Sequence, residues 1–331
     1  MDTRTPHIQR SADHEDEKRD VSVSGSEVGD TNEFRTGYVA IVGEPNVGKS
    51  TLLNALLQQK ISIVTRKPQT TRQQVLGILT TEDMQIIFLD TPGLLEPKYL
   101  LQEAMVQSAR RALDEADLVL LLSDVTRDDS LSPLLKDHLA AAAGKPLLLC
   151  LNKVDKVAIE SLLPLIDRWS KTGLFREIIP VSALKSVNLP ELLKVLQHYL
   201  PLHPPLYPAE MVSEQPERFF VAELIRERIF ERYHDEVPYS TAVEITDFKE
   251  REAGKTYVSA DIIVEKESQK GILIGKLGSA LKAIGRSSRI QIEQLIGRQV
   301  FLELHVKVGE QWREKESWIR RLGYRSDQKP T

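Results

Sequence analysis

The octet Gly43–Ser50 constrains this chain more than any other stretch, because its sequence Gly-Glu-Pro-Asn-Val-Gly-Lys-Ser fits the pattern G-x-x-x-x-G-K-S. An apolar run at 38–42 precedes the octet, and leucines at helical spacing follow it. A strand, a glycine-rich loop and a helix in this order are the context of a phosphate-binding P-loop. In such a loop the lysine, here Lys49, reaches the β- and γ-phosphates, and the Ser50 hydroxyl can bind Mg²⁺. The sequence therefore predicts a nucleotide site.

Length, charge and cysteine content narrow the class of protein. The 331 residues favour two domains. A formal net charge of −4 excludes a uniformly basic nucleic-acid coat but allows a local basic face. The single cysteine, Cys150, excludes an intrachain disulfide and is expected to be a small core residue. No apolar stretch has the length of a membrane span and the N-terminus lacks the apolar segment of a signal peptide, so we expect a cytoplasmic protein.

Composition divides the chain into four segments. Residues 1–35 carry nine acidic and five basic residues with almost no large apolar ones, which predicts a disordered tail; a partner-binding arm is the alternative. Residues 36–202 alternate strand-like and helix-like patterns, which predicts an α/β domain with a doubly wound, mostly parallel sheet and helices on both faces. The proline-dense segment 203–218 predicts a stiff linker. Residues 219–331 are predicted to form the second domain.

Hydrophobic patterns locate the elements of the first domain. Strands are predicted at 38–42, 75–80, 84–89, 118–122, 147–151 and 178–181, and helices at 49–58, 100–115, 131–142, 157–171 and 189–199. Ligands of such sheets bind at the carboxyl ends of the strands.

Three further motifs each follow a predicted strand of this domain. Asp90–Gly93, of sequence D-T-P-G, places a carboxylate where it can hold Mg²⁺ through a water and a glycine N–H where it can meet the γ-phosphate. In Asn152–Asp155, the Asp155 carboxylate can accept from N1–H and the 2-amino group of guanine, donors that adenine lacks. In Ser182–Lys185, the Ala183 N–H can donate to guanine O6. In this order the motifs predict a GTPase domain.

The polar loop Lys67–Arg72 lies between the P-loop and Asp90. Either Thr70 or Thr71 is predicted to be the second hydroxyl ligand of Mg²⁺, donated only when a γ-phosphate is bound, and the sequence leaves both open. The candidate metal ligands are Ser50, Thr70, Thr71 and Asp90. The candidate catalytic residues are Lys49, Thr70, Thr71, Asp90 and Gly93. The candidate nucleotide-binding residues are Gly43, Glu44, Pro45, Asn46, Val47, Gly48, Lys49, Ser50, Thr51, Asp90, Thr91, Pro92, Gly93, Asn152, Lys153, Asp155, Ser182, Ala183 and Leu184.

The second domain is predicted to be α+β: a helix at 219–235, strands at 241–248 and 256–264, an apolar helical segment, the tetrad G-x-x-G, a helix at 279–296 and a strand at 299–308. This order resembles the type II KH domain, an RNA-binding fold in which two glycines let the backbone approach a sugar-phosphate chain. Seven basic and two acidic residues lie between 266 and 298. The candidate RNA-binding residues are Lys270, Gly275, Lys276, Leu277, Gly278, Lys282, Arg286 and Arg289. A helix-helix turn with a solvated charged face is the alternative.

Apolar side chains of this domain have two interpretations. Six of them are expected mainly in the core, with base contacts as the alternative: Ile262, Val264, Ile272, Ile274, Leu281 and Ile284. The closing segment 311–324 is expected to be a terminal helix on the KH core, with Trp312 and Trp318 stacking on bases as the alternative.

The forms G-x-P-N-V-G-K-S at 43–50 and K-x-Q-T-T-R at 67–72, with the KH-like half, resemble the Era family within the translation-factor-related GTPases. The resemblance covers about residues 36–325 and leaves the tail out. It implies a monomeric GTP-hydrolysing switch that uses GTP or GDP and Mg²⁺ and binds single-stranded RNA. The implied RNA is the 3′ end of 16S ribosomal RNA, and the implied process is maturation of the 30S subunit. The resemblance also implies peripheral association with the cytoplasmic face of the inner membrane.

Two residues bear on the mechanism. Leu94 follows the D-T-P-G motif, where Ras-type switches place a glutamine that orients water, so slow turnover without a partner is expected. Resemblance to related GTPases with this P-loop implies that Asn46 helps to hold K⁺ in place of an arginine finger. Two other functions stay open: a regulatory GTPase whose second domain binds a protein partner, and an RNA scaffold in which GTP is structural.

Overall fold

The computed structural model describes residues 34–65, 67–127, 131–250 and 254–324. Nearly all of the predicted N-terminal tail therefore lies outside the described residues. Among the helices of these ranges, none is both long enough and apolar enough to cross a lipid bilayer.

A six-stranded sheet forms the first half of the chain, and its strands are β1 (Arg35–Val42), β2 (Val75–Thr80), β3 (Met84–Asp90), β4 (Leu118–Asp124), β5 (Leu147–Asn152) and β6 (Glu177–Val181). The strand order is β2-β3-β1-β4-β5-β6. All neighbouring pairs are parallel except β2 and β3, which are antiparallel. The predicted mostly parallel sheet is confirmed, with the P-loop at the carboxyl end of the central strand β1.

Helices cover both faces of this sheet, as predicted: α1 (Lys49–Leu57), α2 (Leu100–Glu115), α3 (Pro133–Ala141), α4 (Leu162–Ser170) and α5 (Leu189–Tyr199). Side chains of α1 and α5 pack with Val39 and Ile41 of β1 in one core cluster. Side chains of α2, α3 and α4 pack with Ala40 and Val42 in a second cluster. Alternate residues of one strand thus serve opposite faces. Cys150 is buried in the first cluster, as expected for a core residue.

Two predicted helices are shorter in the structure. The segment predicted to be helical from 157 begins as a helix only at Leu162, because short 3₁₀ turns occupy 154–156 and 159–161. The helix predicted from 131 begins at Pro133, where the Ser132 side chain caps it by accepting from the Leu135 N–H at 3.4 Å. Proline at the first helical position and serine before it are favoured local signals for a helix start.

The second half contains α6 (Glu217–Arg232), α7 (Glu236–Tyr239), β7 (Ala242–Lys249), β8 (Thr256–Val264), α8 (Glu267–Ile274), α9 (Ser279–Ile296), β9 (Val300–Val308) and α10 (Glu316–Arg321). In the sheet β7-β8-β9, β7 runs antiparallel to β8 and β8 runs parallel to β9. The predicted α+β order is confirmed, and the four-residue helix α7 is an addition that the sequence pattern did not indicate.

The predicted linker 203–218 lies against the first sheet for much of its length. The Gln85 side chain bonds to backbone groups of Leu206 and Tyr207 at 2.8 to 2.9 Å. Further along, Val212 O accepts from the Ile78 N–H of β2 at 2.8 Å. The helix α6 begins at Glu217, two residues before the predicted start. The domain limits themselves stay a prediction.

The closing segment differs from its prediction. Instead of one helix on the KH core, it forms a 3₁₀ turn at Trp312–Glu314 and the short helix α10. Trp312 and Ile319 do pack against Ala242 and Ile263 of the KH sheet, as predicted, in a cluster that also includes Leu101 and Met105 of α2 in the GTPase half. Because Trp312 is fully buried, it has no ring face to offer a base.

Candidate functional site

The P-loop residue Lys49 is buried at the start of α1, where Nζ donates to Gly43 O and Glu44 O, both at 3.0 Å. Gly48 has φ +107°, and a Cβ at this position would lie 2.3 Å from Asn152 Nδ2. Both the backbone angle and the close approach of Asn152 therefore require glycine. The loop is held in a shape that the sequence can keep only with a glycine before Lys49.

Burial and charge act in opposite directions on Lys49. Burial lowers its pKa to about 8, against the charges of Asp90 and Glu44, which raise it. A bound triphosphate would add negative charge beside Nζ and favour the protonated form.

A cluster of hydroxyls surrounds Asp90 at the carboxyl end of β3. Ser50 Oγ donates to Asp90 Oδ2 at 2.7 Å, and Ser62 Oγ donates to the same oxygen at 2.9 Å. Thr71 Oγ1 lies 2.8 Å from Ser50 Oγ. Burial raises the pKa of Asp90, although the hydrogen bonds from Ser50 and Ser62 and the charge of Lys49 oppose the shift. Asp90 Oδ1 is buried without a hydrogen-bond partner among the described residues.

Thr70 and Thr71 lie differently in the loop. Thr70 Oγ1 bonds to Thr65 Oγ1 at 2.7 Å and donates to Lys67 O at 2.8 Å, both within the loop. Only Thr71 is hydrogen-bonded to Ser50. The structure therefore brings Ser50, Thr71 and Asp90 together and leaves Thr70 outside this group.

The remaining residues of the D-T-P-G motif connect it to the P-loop and the core. Thr91 Oγ1 donates to Ile41 O at 2.8 Å. Gly93 lies so close to Pro45 that an added Cβ would be 3.0 Å from Pro45 Cα. Leu94 is buried in the second core cluster of the sheet, so it cannot orient a water at the phosphates.

Asn152 and Ala183 link the predicted base pocket to the P-loop. Asn152 Nδ2 donates to Val47 O at 2.8 Å, and Asn152 Oδ1 accepts from the Ala183 N–H at 3.0 Å. The Ala183 N–H, predicted to donate to guanine O6, is thus engaged by Asn152 here. Ser182 Oγ donates to Asp155 Oδ1, which orients the exposed Asp155 carboxylate. Leu184 is 70% exposed at the rim.

Lys153 is fixed by a residue that the sequence motifs do not include. Lys153 Nζ donates to Asn46 O at 2.7 Å and to Asp124 Oδ2 at 2.6 Å. Burial favours the neutral form of Asp124, but the bonds from Lys153 and Thr126 outweigh it and lower the pKa of Asp124. The signal that could have indicated Asp124 is its place as the last residue of β4, at the same sheet edge as the P-loop.

The loop that carries the threonines also contacts the second half of the chain. Glu227 of α6, buried, accepts from Lys60 Nζ at 2.5 Å and from the Val64 N–H at 3.0 Å. Arg226 of α6 donates to Thr70 O. Lys67 Nζ donates to the carbonyls of Phe230 and Tyr233 at the end of α6. One side of the loop therefore faces the hydroxyl cluster and the other side contacts α6.

The G-x-x-G tetrad joins α8 to α9 and projects into solvent. Leu277 is 91% exposed, and Gly275, at φ +69°, has no room for a Cβ, which would lie 2.6 Å from Ala280 Cβ. Exposed Lys282, Arg286 and Arg289 follow at intervals of four and three residues, so they lie on one side of α9. Lys276 is exposed and Lys270 half-buried near the tetrad. The eight predicted RNA-binding residues thus lie on α8, on the tetrad and on α9, which follow one another in the chain.

The apolar candidates divide as expected for a core with an exposed rim. Ile262, Val264 and Ile284 are buried, whereas Ile272 is 50% exposed beside the tetrad. Within the described ranges no group of three His, Cys, Asp or Glu side chains could hold a metal ion. The predicted oxygen ligands that lie together are the Asp90 carboxylate and the hydroxyls of Ser50 and Thr71.

Comparisons with known proteins agree with this geometry. A family model described as 50S ribosome-binding GTPase matches residues 38–153, and a KH domain model matches residues 236–313. The chain is 45% identical over 292 residues to the GTPase Era of Geotalea uraniireducens (strain Rf4), with 88% of this chain and 98% of that protein covered. The chain belongs to the Era family of GTPases.

Other Era proteins are similar over the same span. The Era of Alkaliphilus oremlandii (strain OhILAs) is 46% identical, with 88% of this chain and 99% of that protein covered. Two solved structures match with TM-scores of 0.84 and 43% identity, with 88% of this chain and 99% of each structure covered. One is an Aquifex aeolicus Era bound to GDP·AlF4⁻, and the other is Era with MgGDPNP and nucleotides 1506–1542 of 16S ribosomal RNA. This Era-family protein is a GTPase that carries a KH domain, a fold that binds single-stranded RNA.

The lowered pKa of Lys49 predicts that GTP affinity falls as pH rises above about 8. Below this pH the lysine is already charged, whereas above it a proton must be taken up on binding, at a cost of up to about tenfold in affinity per pH unit. Titration of a GTP analogue between pH 7 and 9 measures the slope. Lys49→Arg stays charged over this range and should lose the slope. A flat wild-type profile, or an equal slope in Lys49→Arg, would contradict the prediction.

Proposed function

We propose that this Era-family protein is a GTP-controlled switch that binds the 3′ end of 16S ribosomal RNA and takes part in maturation of the 30S subunit. The proposal is based on the contacts of the loop that carries Thr70 and Thr71. Thr71 contacts Ser50 on one side of this loop, and Thr70 O accepts from Arg226 of α6 in the KH half on the other. The Era that was crystallised with MgGDPNP and a 16S ribosomal RNA fragment supports the choice of RNA.

Mg²⁺ fits the group formed by Ser50, Thr71 and Asp90. This cation prefers hard oxygen ligands and usually combines one carboxylate with substrate phosphates and waters. The unpartnered, buried Asp90 Oδ1 has the character of an acceptor for a metal-bound water. We assign Ser50 and Thr71 as the hydroxyl ligands, and Thr70 to a bond within the loop. Bound Mg²⁺ would neutralise charge on the β- and γ-phosphates.

The other proposed roles follow from the positions of the side chains. Lys49 stabilises charge on the phosphates, and Gly93, which lies against Pro45 of the P-loop, donates its N–H to the γ-phosphate. Asp155 selects guanine, and Lys153, fixed by Asp124, covers the base. Because Leu94 cannot orient a water, hydrolysis is expected to be slow without a partner.

The proposal includes stimulation of GTP hydrolysis by K⁺, because the P-loop resembles those of related GTPases. Asn46, at φ +66°, would contribute to the K⁺ site. Replacing K⁺ by Na⁺ at constant ionic strength should lower the hydrolysis rate. An unchanged rate would remove K⁺ from the proposal.

The family resemblance also supports two proposals about cellular context. We propose that the protein acts as a monomer and that it associates peripherally with the cytoplasmic face of the membrane. Light scattering of the purified chain tests the first, and co-sedimentation with anionic lipid vesicles tests the second. A dimer, or the absence of vesicle binding at low salt, would contradict the respective proposal.

The switch is tested by measuring RNA affinity in two nucleotide states. Fluorescence anisotropy with a single-stranded RNA of the 16S 3′ end should give about tenfold tighter binding with GMPPNP and Mg²⁺ than with GDP, within the usual range of couplings between sites. Equal affinities would contradict the switch. The absence of RNA binding in both states would favour the alternative of a GTPase that acts on a protein partner.

Charge reversal on α9 tests the RNA surface itself. Lys282→Glu with Arg286→Glu should weaken binding and reduce the slope of log affinity against log salt by about 0.7 for each phosphate that is no longer neutralised. The matched control is Lys171→Glu with Lys194→Glu, a reversal of two exposed lysines in the GTPase half, which should bind RNA as the wild type does. Equal reductions in both variants would indicate a general charge effect and contradict the assigned surface.

A further inference from the structure

Arg72 directly follows Thr71 and is 4% exposed. Its Nη1 donates to Thr241 O at 2.7 Å, and its Nη2 donates to Pro238 O at 3.1 Å and Tyr239 O at 2.9 Å. These three acceptors are backbone carbonyls of the KH half, and among the described residues no carboxylate forms an ion pair with the guanidinium. Burying a charged guanidinium without a carboxylate partner costs free energy, so this arrangement indicates a specific role for Arg72.

Two aromatic rings also lie near the Arg72 guanidinium, and Tyr324 and the buried Arg226 act on it electrostatically. Its Cζ lies 5.6 Å from the Phe230 ring centroid and 5.9 Å from that of Trp312. Trp312 is fixed in turn by its indole N–H, which donates to Ser240 O at 2.7 Å. We call five residues around the guanidinium the Arg72 socket: Phe230, Pro238, Tyr239, Thr241 and Trp312.

The helix α7 explains why carbonyls are available in the socket. This short helix ends at Tyr239, so its last carbonyl groups lack the N–H partners of a continuing helix, although Pro238 O also accepts from the Thr241 N–H at 3.4 Å. Two of them, at Pro238 and Tyr239, accept from Arg72. Arginine suits this arrangement because its planar guanidinium carries five donors in a fixed geometry, whereas lysine presents a single point charge.

Thr71 and Arg72 point to opposite sides of the loop. Thr71 Oγ1 lies 2.8 Å from Ser50 Oγ at the GTPase site, whereas the next side chain enters the socket in the KH half. Consecutive Cα atoms are about 3.8 Å apart and the peptide between them is rigid. Displacing Arg72 from the socket therefore removes a restraint on the position of Thr71.

We propose that Arg72 is a positioning residue for GTP hydrolysis, which keeps Thr71 beside Ser50 and Asp90 by anchoring the next residue of the loop in the KH half. The inference rests on the proposed role of Thr71 and adds the regulation of that site. Backbone carbonyls and two aromatic rings of the KH half thereby help to fix the position of Thr71 in the GTPase site.

The test compares Arg72→Met with the wild type in the full-length chain. Methionine keeps an unbranched stem in the socket and removes the guanidinium, which leaves three buried carbonyls without this donor, so a lower Tm is expected and the rate is measured well below it. We expect kcat for GTP hydrolysis to fall about tenfold, with GDP affinity unchanged. Arg72→Lys, which restores charge without the planar fork, should recover part of the rate. A fall in kcat that is matched by an equal loss in GDP affinity would show a merely structural role and overturn the proposal.

The matched control is Gln73→Ala. Gln73 Nε2 donates to Leu322 O at 3.0 Å, so this variant also loses a bond between the loop and the C-terminal segment. It should hydrolyse GTP at the wild-type rate, because its side chain does not restrain the residue beside Ser50. A reduction in Gln73→Ala as large as in Arg72→Met would assign the effect to the interface as a whole and overturn the role of Arg72.

A double variant separates this inference from the proposed function. If Arg72 acts through Thr71, the double variant Thr71→Ala with Arg72→Met should hydrolyse GTP no more slowly than Thr71→Ala alone. The reason is that mutations of residues that act as one unit have non-additive effects on the rate. Additive losses would overturn the inference, as would a normal rate in Arg72→Met when Thr71→Ala is slow. Normal rates in both single variants would overturn the assignment of Thr71, and with it the basis of the inference.

Discussion

The variant Asp155→Asn should bind GTP about a hundredfold or more weakly and should gain affinity for xanthosine triphosphate. In the proposed pocket the carboxylate accepts from two donors of guanine, and each hydrogen bond to a charged group contributes about 1.5 to 3 kcal/mol. An asparagine offers one acceptor and one donor, so its amide N–H₂ meets the 2-amino group of guanine unfavourably. Xanthine carries a 2-oxo group there, which suits the amide. The exchange therefore changes the preferred base.

The measurement is the relative affinity of the protein for GTP and xanthosine triphosphate, obtained by letting the two nucleotides compete for the site. The control is Asp167→Asn, which makes the same chemical change at an exposed aspartate of α4 that pairs with Lys171. It should leave the base preference unchanged. Retention of the wild-type GTP preference by Asp155→Asn would show that the base pocket lies elsewhere.

The variant Thr71→Ala should hydrolyse GTP about a hundredfold more slowly, whereas Thr70→Ala should change the rate only slightly. Removal of one oriented group from a reacting centre typically costs two to three orders of magnitude in rate. The hydroxyl of Thr71 lies 2.8 Å from Ser50 Oγ, while that of Thr70 is bonded to Thr65. The two neighbours are chemically identical, so the comparison isolates position.

Single-turnover hydrolysis and the Mg²⁺ concentration for half-maximal rate provide the two readouts. Thr71→Ala should need more Mg²⁺ and should lose preference for GTP analogue over GDP, because the proposed role of this hydroxyl is to bind Mg²⁺ when a γ-phosphate is present. The reverse order of effects, with Thr70→Ala the slower enzyme, would reassign the metal ligand to Thr70.

Much of the fold could be predicted because local patterns and tertiary packing agree. The limits of β2, β8 and α5 are those that the periodicity indicated. These segments have either continuous burial or a clean apolar stripe, bounded by turn residues. The order of the GTPase motifs could be predicted for the same reason, since each motif follows a buried strand and the carboxyl ends of parallel strands meet at one sheet edge.

Side-chain choices within loops could not be predicted. The sequence offers Thr70 and Thr71 as equivalents, and only the path of the loop directs one hydroxyl to Ser50. Ser62, which donates to Asp90 from 28 residues away, belongs to no sequence motif. Its position depends on Asn54, whose side chain bonds to the backbone of Ile61 and Ser62. Such contacts arise from tertiary packing and leave no periodic signal.

The segment that follows the GTPase sheet has a consequence for behaviour at high concentration. β2 is an edge strand of that sheet, and its backbone groups would be a template for pairing with another chain. Val212 accepts from the Ile78 N–H at 2.8 Å, and the Ser213 hydroxyl donates to Leu76 O on the same edge. The connection between the two halves thus also shields the sheet from intermolecular strand addition.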